Sequence, residues 1–206
     1  MIVDDLTLIK LKGKGAFGEV YLAHKQNSKN LFAVKRIDRK RLENERVKNW
    51  LNNDVQFLRK IDNPKILKLI DIKETKMYYY IILEYCNGGP LSDCLEYYTE
   101  KNNKKPFSEE MVQYLMKQIV SAIYYLHQSN IVHWDLKLDN ILINFDSEED
   151  RKNRNMLKAK IKIKAFGFAR HIKPIEDIYN IPFSIDLNNL RNQILLIMIK
   201  KLIFGI

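Results

Sequence analysis

Cysteine is scarce in this chain, which excludes a disulfide framework. Only Cys86 and Cys94 occur among 206 residues, and they follow no zinc-ligand spacing. Two cysteines without such a pattern are typical of a reduced, intracellular protein. We therefore expect a cytoplasmic location.

Long apolar runs and a leader sequence are also missing. The longest candidate run, Ile194–Ile199, is followed by two lysines, and it is far shorter than the roughly 20 residues that span a bilayer. The N-terminus has no basic segment followed by an apolar one. We expect neither a signal peptide nor a transmembrane segment.

The formal charge of +10 is the strongest compositional bias. A basic balance can serve nucleic acid, an anionic membrane or a phosphorylated ligand. The lysines and arginines are spread along the chain rather than clustered, so no specific nucleic-acid surface is predicted. A hydrophobic fraction of 46% is sufficient for an ordinary globular core.

The N-terminal part has a strand-rich pattern. Alternating apolar residues predict strands within residues 6–37, around Ile66–Ile72 and over Met77–Leu83. Apolar spacings of three and four predict an amphipathic helix within residues 38–60. This order is not βαβαβ, which argues against a parallel nucleotide-binding sheet. Gly88-Gly89-Pro90 then predicts a break between two lobes.

The C-terminal part has a helical pattern. Ser108 is a candidate N-cap, and an apolar stripe from Met111 to Leu126 predicts a long buried helix. Short strands are predicted at 141–143 and 161–163, around a charged insert at 146–158. The expected fold class is therefore α+β, with an antiparallel-sheet N-terminal lobe that holds one helix and a mainly helical C-terminal lobe.

A glycine-rich turn connects the first two long strands. Gly13, Gly15 and Gly18, followed by Val20, fit the pattern G-x-G-x-x-G-x-V. Glycine backbone approaches phosphates closely and bends freely, so the turn can lie over a nucleotide. By itself the pattern equally fits a simple hairpin turn.

A lysine follows on a strand of apolar, β-branched character. Lys35 ends the sequence Ala33-Val34-Lys35. A lysine that faces an interior requires an anionic partner, which indicates a phosphate clamp. The alternative is a solvated lysine at a strand edge, and the position after the glycine turn favours the clamp.

The segment His133–Asn140, with the sequence HWDLKLDN, makes the resemblance clear. Glycine turn, Ala-x-Lys, Gly-Gly hinge, H-x-D-x-K-x-x-N loop and Phe-Gly occur in the order found in eukaryotic serine/threonine protein kinases. The chain resembles that family over about residues 6–180. The resemblance implies a two-lobed kinase fold and the transfer of the ATP γ-phosphate to protein hydroxyls.

The resemblance also implies an ATP site between the lobes. Its implied residues are Gly13, Gly15, Gly18, Val20, Ala33, Lys35, Asp54, Leu83, Glu84, Cys86 and Leu142. Lys35 would hold the α- and β-phosphates, Leu83 would be the gatekeeper, and the Glu84 carbonyl and Cys86 amide would face the purine. Val20, Ala33 and Leu142 would enclose the ring, although plain core describes these three equally well.

Asp54 occupies the position at which the family has a helix-borne glutamate that pairs with the strand lysine. Aspartate keeps the charge but is shorter by roughly 1.5 Å. A pair with Lys35 therefore requires the helix to lie further inward. The alternative is an Asp54 that faces solvent.

The catalytic loop supplies three implied functional residues. Asp135 would orient the substrate hydroxyl and accept its proton, Lys137 would neutralise the γ-phosphate, and Asn140 would bind metal. A structural remnant without turnover is the alternative. Trp134 replaces an arginine that in many relatives binds a phosphorylated residue, and tryptophan cannot pair with phosphate as a guanidinium does.

Ala165-Phe166-Gly167 stands where the family has Asp-Phe-Gly. A methyl group cannot coordinate Mg²⁺, which requires oxygen ligands. We expect ATP and Mg²⁺ as cofactors, with the metal site weakened by Ala165. Phe166 is expected to join Leu58, Leu69 and His133 in an apolar spine that couples the lobes.

The expected domains are a kinase N-lobe at 1–86, a partial C-lobe at 87–184 and an apolar, basic tail at 185–206. No Ala-Pro-Glu follows Ile181-Pro182-Phe183, so a truncated C-lobe is predicted. The tail fits a substitute core helix, a partner-binding segment or a disrupted reading frame. The predicted function is an impaired ATP-dependent protein kinase with a protein substrate. The alternatives are a pseudokinase scaffold or decoy with a protein partner, and a chain too incomplete to fold alone.

Overall fold

The computed structural model describes residues 2–15, 18–26, 30–101 and 107–171, which form two lobes joined by residues 85–88. The N-terminal lobe contains β1 (Ile2–Val3), β2 (Leu6–Gly15), β3 (Gly18–Lys25), β4 (Leu31–Asp38), α1 (Glu45–Lys60), β5 (Leu69–Glu74) and β6 (Tyr78–Glu84). The C-terminal lobe contains β7 (Gly89–Pro90), α2 (Leu91–Lys101), α3 (Glu109–Gln128), β8 (Ile131–Val132), β9 (Ile141–Asn144), α4 (Glu148–Asn153), β10 (Lys160–Ile163) and β11 (Arg170–His171). The predicted α+β, two-lobed fold is confirmed.

The N-terminal lobe is built on an antiparallel sheet with the strand order β1-β2-β3-β4-β6-β5. Alternation of apolar residues buries one set of side chains on each face. Ala23 and Val34 lie in a small core on one face. On the other face, Ile37 packs with Leu51 and Val55 of α1. The packing of α1 on the sheet therefore fixes the position of α1 relative to β4. This position decides which β4 side chains the α1 side chains can contact.

The two lobes share one apolar core. Phe57 and Leu58, near the C-terminal end of α1, pack into the same cluster as Phe166 and the buried stripe of α3. Burial of this kind stabilises by about 25 cal/mol per Å² of apolar surface removed from water. The shared core couples the position of α1 to the segment around Ala165.

The long helix of the C-terminal lobe is confirmed. The Ser108 side chain accepts a hydrogen bond from the Met111 amide, and α3 follows. Leu115, Ile119 and Ala122 are fully buried, whereas Tyr124 on the opposite face is 59% exposed. The helix is thus amphipathic, with its apolar face against β8 and β10.

Three details differ from the sequence prediction. The strand predicted around Ile66–Ile72 begins at Leu69, because the backbone of residues 65–67 bonds to Ile163 of β10 instead of to β6. The helix α2 was not predicted, although Leu91 and Cys94 are buried at helical spacing. The charged insert forms α4, with the Ser147 side chain capping the helix at the Asp150 amide.

The predicted domain division at 86 and 87 falls in the connection between β6 and β7 and stays a prediction. Residues 172–184 of the predicted C-lobe and the whole predicted tail, 185–206, lie outside the described residues, as does Ile181-Pro182-Phe183. Across the ranges given above, no helix is both long and apolar enough to cross a membrane.

Candidate active site

A cleft of about 790 Å³ lies between the lobes. Most of the predicted nucleotide and catalytic residues line it. These are Gly13, Val20, Ala33, Lys35, Asp54, Leu83, Glu84, Cys86, Asp135, Lys137, Asn140, Leu142 and Ala165. Gly15 and Gly18 are not part of the lining but lie in the β2–β3 hairpin that covers it.

The hairpin requires glycine at one position in particular. Gly18 has φ +134°, and a Cβ there would meet the Arg36 carbonyl oxygen at 2.2 Å. The backbone of β4 therefore lies so close to the first residue of β3 that no side chain fits at position 18. Gly13 has open space around it, so its side of the turn leaves room for a ligand.

The hinge backbone is fastened to β9 by side-chain and main-chain bonds. The Asn87 side chain accepts from the Phe145 amide at 2.9 Å and donates to the Phe145 carbonyl at 2.9 Å. The Gly88 amide donates to the Ile143 carbonyl at 2.8 Å, and a Cβ on Gly88 would meet Ile143 at 2.8 Å. Sequence reasoning missed the role of Asn87, since an asparagine before Gly-Gly also fits an ordinary turn.

Cys86 lines the cleft, and its amide has no acceptor among the residues that the structure describes. Burial raises the pKa of the Cys86 thiol to about 12, so this side chain is a neutral, apolar part of the wall. A free amide on an apolar wall fits the predicted contact with a purine.

Lys35 and Asp54 lie together in the structure. The Lys35 ammonium is 3.6 Å from Asp54 Oδ2, and their side chains are 22% and 14% exposed. The second oxygen of Asp54 accepts a hydrogen bond from the Phe166 amide at 2.7 Å. One short carboxylate therefore connects β4 to the segment that follows Ala165, and Asp54 does not face solvent.

Asp135 is held by its own loop. The Asn140 side-chain amide donates to Asp135 Oδ2 at 2.9 Å and to the Asp135 carbonyl at 2.8 Å. Lys137 pairs with Asp135 Oδ1 at 3.0 Å. Asn140 is 6% exposed, so its buried side chain fixes the Asp135 carboxylate. The other side of that carboxylate remains open to the cleft.

His133 supports this loop from below. Its Nδ1 accepts from the Asp135 amide at 3.2 Å, its Nε2 lies 2.8 Å from the Lys164 carbonyl, and its ring is 4.9 Å from that of Phe166. These partners require a neutral ring with the proton on Nε2. Leu58 lies in the same core as Phe166, and Leu69 packs against it, so the predicted spine residues lie in one cluster.

We predict a pH dependence of stability from His133. Burial lowers its pKa, so below about pH 6.5 the unfolded chain binds a proton that the folded chain does not. The contribution of His133 to the free energy of unfolding is then complete above that pH. It decreases as the pH falls, by at most about 1.4 kcal/mol per pH unit.

Urea unfolding at several pH values between 5 and 8 measures this slope. His133→Phe keeps a ring against Phe166 but cannot titrate, so its stability should be lower overall and flatter with pH. An equal slope in both proteins would contradict the assignment.

Trp134 and Ala165 both have left-handed backbone, with φ of 61° and 71°. For a residue other than glycine this conformation costs roughly 1–2 kcal/mol, and aspartate tolerates it better than alanine. The Asp54 bond to Phe166 and the complete burial of Phe166 hold Ala165 in it. The backbone at Ala165 is thus held in a conformation that an aspartate would also adopt.

A two-lobed fold with a nucleotide-sized cleft, a half-buried lysine–carboxylate pair and an H-x-D-x-K-x-x-N loop defines a protein of the kinase class. Comparison with known proteins agrees. The family model for the protein kinase domain matches residues 6–184, and the chain belongs to the protein kinase family, among the eukaryotic serine/threonine kinases.

Three relatives illustrate the likeness. Serine/threonine-protein kinase PLK4 of Xenopus tropicalis is 35% identical over 82% of this chain. Calcium-dependent protein kinase 4 of Plasmodium falciparum is 36% identical over 80%, and serine/threonine-protein kinase ULK3 of Xenopus laevis is 33% identical over 82%. The matched parts amount to 16%, 29% and 33% of these relatives, so the chain spans a third or less of their length.

Protein kinases use ATP and Mg²⁺, and the residues of this chain do not fit the metal. Magnesium requires near-octahedral oxygen ligands, whereas Ala165 offers none and Asn140 offers one amide oxygen. In the described ranges no cluster of three metal-binding side chains occurs. Lys164, beside Ala165, also lines the cleft and places a cation there. Sequence reasoning missed Lys164, although its place next to the altered residue was a visible signal.

Proposed function

We propose that this chain binds ATP in the cleft and transfers its γ-phosphate to protein serine or threonine hydroxyls at a strongly reduced rate. The observation that carries the proposal is the Lys35–Asp54 pair beside a cleft of about 790 Å³. A partly buried lysine with a fixed carboxylate partner is oriented for phosphate binding. The purine would lie between Val20, Ala33 and Leu142.

The proposed transfer uses groups that already lie together. The substrate oxygen forms a bond to the γ-phosphorus while the bond from that phosphorus to the β–γ bridging oxygen breaks, and ADP leaves. The hydroxyl proton passes to the Asp135 carboxylate, which Asn140 orients. Lys137 would move from Asp135 to the γ-phosphate, where it would neutralise charge.

Ala165 favours a second candidate function, a scaffold or decoy that binds nucleotide and a protein partner without turnover. Catalysis of phosphoryl transfer depends mostly on positioning and charge neutralisation, and this chain has lost its main metal ligand. Trp134 also stands where many relatives have an arginine that binds a phosphorylated residue. Its presence supports a protein that is not activated by phosphorylation through that arginine.

ATP binding is tested by thermal unfolding. At a hundredfold excess over its Kd, ATP should add about 2.7 kcal/mol of stability, or about 5–10 °C in Tm for a domain of this size. Lys35→Met should lose more than half of the shift, because a charge-assisted hydrogen bond contributes about 1.5–3 kcal/mol.

Lys10→Met is the matched control, since Lys10 is exposed on β2 and lies outside the cleft lining. Its shift should equal that of the wild type. The absence of any ATP shift, with and without Mg²⁺, in a protein that unfolds cooperatively would overturn the proposal.

Transfer is separated from scaffolding by incorporation of labelled phosphate from ATP into a generic protein substrate. The primary proposal expects wild-type incorporation above that of Asp135→Asn. Equal incorporation in the two would favour the scaffold.

We also propose a cytoplasmic location. Cys86 and Cys94 are free and buried, which supports a reduced compartment.

A further inference from the structure

Three lysines lie at the end of the cleft that would hold phosphates. Lys35 pairs with Asp54 and Lys137 pairs with Asp135. Lys164 lines the same cleft but has no ion pair or side-chain hydrogen bond with a residue that the structure describes. Among these three lysines, Lys164 is therefore the one for which the described residues offer no direct anionic partner, and Asp139 and Asp93 act on it only from a distance.

The backbone of Lys164 is fixed from two sides. Its amide donates to the Asn140 carbonyl at 2.9 Å, and its carbonyl lies 2.8 Å from His133 Nε2. The catalytic loop thus sets where this lysine stands relative to Asp135. Its side chain is half-buried, so its ammonium is held near the cleft rather than free in solvent.

Burial lowers the pKa of Lys164, and the neighbouring Lys35 ammonium lowers it further, against smaller opposing effects of Asp139 and Asp93. Lys164 lines the cleft without an ion pair among the described residues, so an anion that enters the cleft would gain a direct contact with its ammonium.

The net charge of Lys164 and Ala165 can be compared with that of an aspartate and a bound Mg²⁺. An aspartate with bound Mg²⁺ would contribute one net positive charge. Ala165 with Lys164 also contributes one net positive charge, and does so without a metal. The absence of a carboxylate and the presence of the lysine together add two positive charges, which equals the charge of one Mg²⁺.

We propose that this cleft binds ATP without a divalent cation, with the Lys164 ammonium in contact with the phosphates in place of the metal. The inference rests on the proposed ATP binding and goes beyond it by naming the group that replaces Mg²⁺. Lys35 would hold one part of the phosphate chain, and Lys164 would supply positive charge to another part of it.

The experiment measures the Kd of ATP and of adenosine in EDTA and in excess Mg²⁺. The variants are Lys164→Met, which keeps length but removes charge, and Lys164→Arg, which keeps charge. Lys158→Met is the control, because Lys158 is exposed and lies outside the cleft lining. A thermal melt of each variant establishes that it is folded.

For the wild type and Lys158→Met, we expect Kd values for ATP in EDTA and in Mg²⁺ that agree within about threefold. In EDTA, Lys164→Met should weaken ATP by about tenfold or more, as for loss of a charge-assisted hydrogen bond. Its Kd for adenosine should not change, and Lys164→Arg should restore most of the ATP affinity.

Failure of the inference differs from failure of the proposed function. ATP binding that requires Mg²⁺, or that is unchanged by Lys164→Met in EDTA, would overturn the inference and leave ATP binding intact. Absence of ATP binding in both buffers would overturn both.

Discussion

Replacing Ala165 with aspartate is expected to raise γ-phosphate transfer by about a hundredfold or more. A metal ion contributes several kcal/mol of transition-state charge stabilisation, and each 1.36 kcal/mol is about tenfold in rate. The backbone at this position is already left-handed, with φ 71°, and aspartate tolerates this conformation better than alanine. The new carboxylate would join Asn140 at the cleft, so no rearrangement of the segment is needed.

Labelled-phosphate incorporation at saturating ATP and Mg²⁺ measures this gain. Ala165→Gly is the matched control: it relieves the backbone strain but supplies no oxygen ligand, so its rate should remain that of the wild type. A second readout is the Kd of ATP, which should become dependent on Mg²⁺ in Ala165→Asp alone.

Two outcomes would contradict the expectation. If Ala165→Asp has the wild-type rate, the defect does not lie in the missing carboxylate, and the scaffold function is favoured. If Ala165→Gly gives the same gain as Ala165→Asp, backbone strain rather than the metal ligand limits the rate.

Phe166→Ala is expected to destabilise the fold by about 3–5 kcal/mol, the usual cost of truncating a buried phenylalanine. Phe166 is fully buried, lies 4.9 Å from the His133 ring and is centred in the core that both lobes share. Its removal leaves a cavity between α1 and the catalytic loop. The ATP-induced rise in Tm should decrease as well, because the Asp54 bond to residue 166 depends on this packing.

Phe168→Ala is the matched control, two residues further in the same short helical turn. Phe168 is 38% exposed, and its ring lies 5.3 Å from that of Trp50 between centroids. Its truncation should cost about 1 kcal/mol. Urea unfolding measures both losses, and equal losses would refute the central place given to Phe166.

Much of the fold could be predicted because its signals are local. The Ser108 cap and the apolar stripe after it predict α3, and alternation predicts the central strands. The strand predicted around Ile66–Ile72 was wrong at its start, since the partner that residues 65–67 bond to, Ile163, is far away in the chain. Leu91 and Cys94, the buried residues of α2, have a helical spacing in the sequence. This spacing did not lead to a prediction of the helix.

The candidate site also has features that local motifs predict and features that only the folded structure shows. The identities of Lys35, Asp135 and Asn140 follow from short motifs, so the sequence predicts them. Whether Asp54 reaches Lys35 depends on the packing of α1 against β4, which no local pattern contains. Only the folded chain places their charged atoms 3.6 Å apart.

The sequence by itself determined the family and the alanine at position 165, because both are matters of which residues occur at which spacing. The tertiary structure decided what the loss leaves behind. Asp54 holds the Phe166 amide, the backbone of Ala165 stays left-handed, and Lys164 stands beside it without a partner in the described part of the chain. These relations join residues from α1, the catalytic loop and the segment after β10, and contacts between distant segments exist only after the core has brought them together.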